Sequence, residues 1–208
     1  MRALNLMLNG DKPKPEQLPQ NLPWAGIDGG AQFLLEQGIE PRWIFGDLDS
    51  FPAAKNFLKT SCSLVEKNNQ SQTDLEFALD FLCQFQELEQ LNLYGATGGR
   101  LDHFLANLSL LRNPKYRHWQ LKIIDAQNQL ERMHAGEKIF YPIENYRYFS
   151  LIPLFEQTQV SIQGAKYSAE NLPLTLDYAN ATSNEFINNQ PIKITSNQDL
   201  LVIYSRDK

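Results

Sequence analysis

Residues 91–111, LNLYGATGGRLDHFLANLSLL, decide the fold class of this chain. Leu91-Asn92-Leu93-Tyr94 is an apolar run of strand length that stops at a loop holding Gly95, Gly98 and Gly99. Beyond that loop, Leu101, Leu105, Leu108 and Leu111 recur at helical spacing and predict one apolar helix face. Strand, glycine loop and helix form the unit from which layered α/β folds are built. The same order recurs upstream. Ala3-Leu4-Asn5-Leu6-Met7-Leu8 predicts a strand ended by an Asn9-Gly10-Asp11 turn, and Ala31 to Gln37 predicts a short helix closed by Gly38. Trp43-Ile44-Phe45 predicts a strand running into Gly46-Asp47-Leu48-Asp49-Ser50. Leu75, Ala78, Leu79 and Leu82 share a helix face, and Leu121-Lys122-Ile123-Ile124-Asp125 closes the series. The expectation is a Rossmann-like α/β domain with a mainly parallel sheet.

After about Ala126 the pattern changes. Gly136, Pro142, Pro153, Gly164, Pro173 and Pro191 separate short runs such as Lys138-Ile139-Phe140-Tyr141, Tyr148-Phe149-Ser150-Leu151-Ile152 and Leu200-Leu201-Val202-Ile203-Tyr204. Short strands with Gly and Pro turns predict a smaller all-β sandwich. The expected domains are therefore residues 1–127 and 128–208, with the boundary falling between Ala126 and Leu130.

Composition narrows the function classes. The chain has 208 residues, 42% hydrophobic and 21% charged, as an ordinary globular protein does. A net charge of -5 argues against a broad nucleic-acid surface, because phosphate backbones reward Lys and Arg. No apolar run reaches the roughly 18 residues that span a bilayer, so no membrane association is expected. The opening MRALNLMLNGDKPKP is not patterned as a signal peptide, and Cys62 and Cys83 show no CxxC spacing. Free thiols and a cytoplasmic location are expected. His103, His118 and His134 have no metal-ligand spacing, which argues against zinc.

Ligands of an open α/β sheet bind beyond the carboxyl ends of its strands, and the acidic residues of this chain collect there. Asp28 lies in Ile27-Asp28-Gly29-Gly30, and Asp47 and Asp49 lie in the loop after Phe45. Asp74 stands where the amide-rich loop KNNQSQ gives way to a helix, and Asp102 follows the glycine loop. Asp47 and Asp49 point to one side if the backbone between them is extended, and converging carboxylates repel unless a cation joins them. Oxygen-only ligation suits Mg²⁺, which commonly bridges carboxylates to phosphates. Gly98, Gly99 and Arg100 can meet an anion with backbone amides, a helix N-terminus and a two-donor guanidinium. Each loop also has a purely structural reading. Thr73 with Glu76 forms a capping box, Asp49 or Ser50 can cap a helix starting near Phe51, and the glycines can make a plain turn. His103 and Asn107, four residues apart, read as a hydrogen-bonded structural pair.

Together these strings resemble the thiamine pyrophosphokinase family. Asp28-Gly29-Gly30-Ala31 resembles its DGGA turn, and Pro41, Ile44 and Gly46-Asp47-Leu48-Asp49-Ser50 its P-x-x-I-x-GDxDS element. Thr73-Asp74-Leu75-Glu76 with Ala78-Leu79 resembles its TDxExAL helix start. Gly95 to His103 with Asn107 is similar to its G-x-x-GGRxDHxxxN loop. Gly164-Ala165-Lys166-Tyr167 and Ser183-Asn184-Glu185-Phe186 resemble the GLKY/W and SNE strings of its β domain.

The resemblance implies an ATP- and Mg²⁺-binding catalytic α/β domain followed by a thiamine-binding β-sandwich, paired as a homodimer with active sites at the subunit junction. It implies transfer of the pyrophosphoryl group of ATP to the hydroxyl of thiamine, giving thiamine diphosphate and AMP. Carried over, Asp47, Asp49, Asp74 and Asp102 hold Mg²⁺ and serve the chemistry. Asp28, Gly29, Gly98, Gly99 and Arg100 bind ATP and its phosphates, and Ser183, Asn184 and Tyr167 contact thiamine. Tyr167 has a structural alternative as a buried tyrosine of the β domain. One departure stands out: where the family's pattern carries further carboxylates before the TD pair, this chain has neutral Asn69 and Ser71. That departure keeps two alternatives open, a binding module with weakened catalysis and a nucleotide-dependent transferase or hydrolase with another acceptor.

Overall fold

A computed structural model describes residues 1–46, 62–67, 71–178 and 180–207. These fall into two units, Met1–Ala126 and Gln127–Lys208. The first unit holds β1 (Ala3–Met7), β2 (Trp24–Ile27), β3 (Trp43–Gly46), β4 (Ser63–Glu66), β5 (Gln90–Tyr94) and β6 (Gln120–Ile124). All neighbours pair in parallel, in the order β6-β5-β1-β2-β3-β4. Parallel strands covered on both faces read as continuous apolar runs rather than alternating ones. Every residue of β2 and β3 is accordingly buried. Inside this sheet Asn92 Nδ2 donates to Asn5 Oδ1 at 2.9 Å, a buried polar pair on register partners of β1 and β5.

Among the described residues three α-helices follow strands of this sheet: α1 (Gly29–Glu36), α2 (Asp74–Leu82) and α3 (Leu101–Leu110). In α2 the expected face is the buried one, since Leu75, Ala78, Leu79 and Leu82 are all nearly inaccessible. Each such leucine contributes about 1.5–3 kcal/mol by leaving water. Phe81 meets Phe45 of β3 edge-on at 5.4 Å, which seats the helix against the strand it serves. Helix α3 departs from expectation. Leu101 and Leu105 are 75% and 62% exposed, whereas Leu108 is half-buried and Leu111 buried, so the expected face is covered only toward its C-terminal end. Asn107 and Leu110 are buried beside it, and the Asn107 carboxamide is drawn inward by a backbone carbonyl of the glycine loop.

The second unit holds two antiparallel sheets. One runs β12-β9-β14-β7, built from β7 (Asn128–Met133), β9 (Tyr148–Pro153), β12 (Asn184–Glu185) and β14 (Leu200–Ser205). The other runs β11-β10-β13-β8, built from β8 (Gly136–Phe140), β10 (Thr158–Gln163), β11 (Ala169–Leu174) and β13 (Ile192–Ser196). Burial alternates along β9, the period-two pattern of a strand with one covered face. Phe149, Leu151 and Val202 of the first sheet share one apolar cluster with Val160, Ile162 and Ile194 of the second. The chain is thus a mixed α/β protein with extensive sheet and few helices. Cys62 and Cys83 are free. Among the described residues no helix is long and apolar enough to cross a membrane.

Candidate active site

In the first unit the chain builds β1 to β4 in one direction and then returns to place β5 on the other side of β1. The crevice beyond β1 and β5 is therefore a topological switch point, where open α/β sheets bind ligands. Two loops meet there. Leu8 N–H donates to Tyr94 O at 2.8 Å, Gly10 N–H to Gly95 O at 2.7 Å, and Asp11 N–H to Thr97 O at 2.9 Å. The Asp11 carboxylate occupies the space that a Cβ on residue 98 would need, and Gly98 has a φ of +75°. Both facts require glycine there. Thr97 Oγ1 donates to Asp125 Oδ2 at 2.9 Å, which fastens the loop to the end of β6.

Asn107 Nδ2 donates to Ala96 O at 2.9 Å, so the expected pairing of His103 with Asn107 is not the one formed. A buried amide placed under a loop carbonyl outcompetes an exposed imidazole, because it satisfies a polar group that water cannot reach. His103 is exposed, and its amide donates to Asp102 Oδ1 at 3.0 Å. Arg100 forms a fork on the same carboxylate, Nε to Oδ1 at 3.1 Å and Nη2 to Oδ2 at 2.5 Å. That pairing with Arg100 holds the Asp102 carboxyl down at about 2.

Moving across the sheet, each loop touches the next. A Cβ on residue 29 would meet Asn9 Oδ1 at 2.5 Å, so the β1 loop lies against the start of α1. Asp28 precedes that helix with a φ of 48°, a conformation costing an ordinary residue about 1–3 kcal/mol. Its amide donates to Phe45 O at 3.0 Å, and its carboxylate fills the space beside Gly46 that a side chain would take. Lys67 N–H, just past β4, donates to Gly46 O at 3.2 Å. The Lys67 ammonium then reaches Asp74 Oδ1 at 2.5 Å and Gln72 O at 3.1 Å. Asp74 is the first residue of α2, and Thr73 Oγ1 caps the helix by accepting from Glu76 N–H at 3.1 Å. A single rim thus runs from the glycine loop through the β1 loop, Asp28 and Gly46 to Lys67 and Asp74. Asp47, Asp49 and Asn69 lie outside the described residues.

Sequence reasoning named Asp28, Asp74, Asp102, Gly98 and Arg100 on this rim but missed Asn9, Asp11, Lys12 and Lys67. The first three follow β1 as the other loops follow their strands, and that position was the available signal. Lys12 is turned back on its own loop, donating to Leu8 O at 2.6 Å and Gly10 O at 3.1 Å. Burial pushes its pKa down, against the opposing effect of Asp11. For Lys67 no local signal existed, since a lysine before an amide-rich loop reads as a solvated charge.

The oxygen donors of the rim have the hardness that Mg²⁺ prefers. Among the described residues no three carboxylate, histidine or cysteine groups converge.

In the second unit Asn184 is buried and its carboxamide is used twice on one neighbour. Tyr167 N–H donates to Asn184 Oδ1 at 3.0 Å, and Asn184 Nδ2 donates to Tyr167 O at 2.8 Å. Tyr167 is 59% exposed, which removes the reading of a buried structural tyrosine. Ser183 has a φ of 56°, and its amide donates to Ser150 Oγ at 3.0 Å. Glu185 accepts from Lys166 Nζ at 2.6 Å and Arg147 Nε at 3.2 Å, and the Lys166 bond leads in holding its carboxyl low. An open cleft of about 660 Å³ lies beside it, lined in part by Tyr146, Arg147, Glu185 and Phe186.

Residues 17–124 match the family model described as thiamin pyrophosphokinase, catalytic domain, and residues 137–201 match the thiamin pyrophosphokinase vitamin B1 binding domain. This chain belongs to the thiamin pyrophosphokinase family. It is 33% identical to the thiamine pyrophosphokinase of Bacillus subtilis, over 100% of both chains. A crystal structure of thiamine pyrophosphokinase from Bacillus subtilis superposes with a TM-score of 0.88 at 29% identity, covering 100% of each chain. The thiamin pyrophosphokinase of Geobacillus thermodenitrificans gives 0.84 at 29%, covering 99% of this chain and 98% of that one. The thiamin pyrophosphokinase of Candida albicans, at 17% identity and a TM-score of 0.83 over 99% of this chain and 89% of that one, shares the fold. The function is accordingly that of a thiamine pyrophosphokinase, which passes the pyrophosphoryl group of ATP to the thiamine hydroxyl and yields thiamine diphosphate and AMP. The catalytic-domain match begins at residue 17, so the β1 loop with Asn9, Asp11 and Lys12 lies outside it.

Proposed function

We propose that this enzyme works with Mg²⁺ and that the rim of the first unit is where the polyphosphate of ATP binds. The observation that carries the reading is the switch-point crevice, where Gly98 lies against Asp11 and Arg100 stands at the start of α3. In this reading the parallel sheet is a Rossmann-like nucleotide domain and the two antiparallel sheets are a thiamine-binding β-sandwich. Gly29, Gly98 and Gly99 let backbone amides approach phosphate oxygens, Arg100 supplies a two-donor fork, and Asp28 shapes the nucleotide pocket. Asp47, Asp49, Asp74 and Asp102 would hold the metal, which when bound would supply positive charge against the phosphates. Ser183 and the ring of Tyr167 meet thiamine, and Asn184 acts by fixing the Tyr167 backbone as well as by lying beside Ser183.

The reaction needs little covalent help from the protein. The thiamine hydroxyl oxygen bonds to the β-phosphorus and gives up its proton, the bond from that phosphorus to the α,β-bridging oxygen breaks, and AMP departs. Phosphoryl transfer of this kind is accelerated mainly by positioning and by fixed charge around the transferred group. Arg100 must exchange Asp102 for phosphate to take part. We further propose a cytoplasmic homodimer, which sedimentation would reveal as twice the mass of the chain.

The test is turnover of Asp47→Asn and Asp102→Asn, followed as AMP and thiamine diphosphate formed from ATP, Mg²⁺ and thiamine. Each should fall by about 100-fold or more while the fold survives. Near-full activity of Asp47→Asn would sink the metal assignment, and full activity in excess chelator would sink Mg²⁺ dependence.

A further inference from the structure

The Lys67 side chain is only 5% exposed, yet its ammonium sits 2.5 Å from Asp74 Oδ1, while Asp74 itself is 33% exposed. A buried ammonium tolerates burial only while its partner stays in place. Lys67 also donates to Gln72 O at 3.1 Å, and Gln72 is gripped from its other end, where its Nε2 donates to Asp80 Oδ2 at 2.9 Å. Asp80 in turn accepts from Tyr116 Oη at 2.5 Å and is paired with Lys115 Nζ at 2.6 Å. The loop that delivers Asp74 is thus pinned at residue 72 by two independent bonds, and Asp74 by a third.

We propose that Lys67 is a positioning residue of the phosphate-transfer site. It keeps Asp74 Oδ1 throughout the cycle and leaves Oδ2 alone to face a divalent cation. The physical reason is asymmetry. A cation that took both Asp74 oxygens would strand a buried ammonium, whereas a cation on Oδ2 alone leaves the pair intact. The proposal rests on the reading of Asp74 as a residue of that site.

The test uses the full-length protein and Mn²⁺ as the probe, titrated without nucleotide and read from its paramagnetic resonance signal. Lys67→Met frees Asp74 and removes a nearby positive charge, so Mn²⁺ should bind about tenfold more tightly. Turnover should fall about tenfold or more as Asp74 loses its orientation, with Lys67→Arg recovering part of it. In an Asp74→Asn background the same Lys67→Met change should tighten Mn²⁺ binding by about threefold at most, because only the loss of charge is left to act. If Lys67→Met does not fold, Lys67→Gln, a neutral donor of similar length, carries the same readouts. Mn²⁺ affinity within twofold of the parent overturns the proposal, and so does a tightening that is equally large with Asn at 74. Full turnover of Asp74→Asn alone would instead overturn the underlying reading of Asp74, which separates the two failures.

Discussion

Asp74 and Asp102 look alike in the sequence and differ in the fold. Each is an aspartate in the first turn of a helix, each follows a loop at the same edge of the sheet, and each is bonded to a cation of its own chain. The cations differ. Lys67 is buried and anchored through Gln72, whereas Arg100 and Asp102 are 73% and 62% exposed. An exposed pair is screened by water and salt and exchanges readily for a phosphate, while a buried one resists exchange. In the proposed reading the difference divides the labour: Arg100 is a hand that can leave Asp102 for ATP, and Lys67 is a clamp that stays.

The largest expected effect falls on the clamp. Asp74→Ala should lower turnover by orders of magnitude and also cost about 3 kcal/mol of stability, because Lys67 is left buried without its partner. Urea unfolding together with an AMP assay measures both, and a loss of activity with unchanged stability would break the comparison. Arg100→Ala should behave oppositely. Its kcat/KM for ATP should fall about 100-fold, with the melting temperature essentially unmoved.

A smaller effect concerns the support behind the clamp. Burial raises the Asp80 carboxyl, but bonds from Lys115, Tyr116 and Gln72 outweigh it, and the net shift is downward from 3.8. A carboxyl depressed by folding stabilises above its unfolded pKa, and the benefit is lost as pH falls through the lower folded value. Asp80→Asn should therefore lose about 2 kcal/mol near neutrality. The gap to the parent should close as pH drops below 3.8, followed by thermal unfolding across a pH series. The smallest effect is on the cap. Thr73→Ala should cost about 1 kcal/mol in urea unfolding, and turnover should fall modestly because Asp74 is carried on that helix start.

Much of the first unit was legible in the sequence for a physical reason. Buried parallel strands must be continuous apolar runs, and helix faces must repeat at the helical period, so β1, β3, β5 and the buried face of α2 could be read directly. The exposure of Leu101 and Leu105 and the burial of Asn107 could not, because Asn107 bonds to a carbonyl eleven residues away, which a hydrophobic pattern does not contain. Acidic residues on loops after strands were visible one by one as Asp28, Asp74 and Asp102. The contacts between loops were not. Asp11 against Gly98 and Lys67 on Asp74 depend on which strands are neighbours, and the return of β5 to the side of β1 is a property of topology. Tyr167 had two readings in the sequence, and only its exposure separated them.

A crystal structure with Mg²⁺, thiamine and α,β-methylene ATP, whose carbon bridge replaces the oxygen that must leave, tests the division of labour most directly. The account predicts the Arg100 guanidinium on phosphate oxygens, released from Asp102, and Lys67 still within hydrogen-bonding distance of Asp74. Arg100 remaining on Asp102 with the nucleotide bound, or Lys67 detached from Asp74, would contradict it.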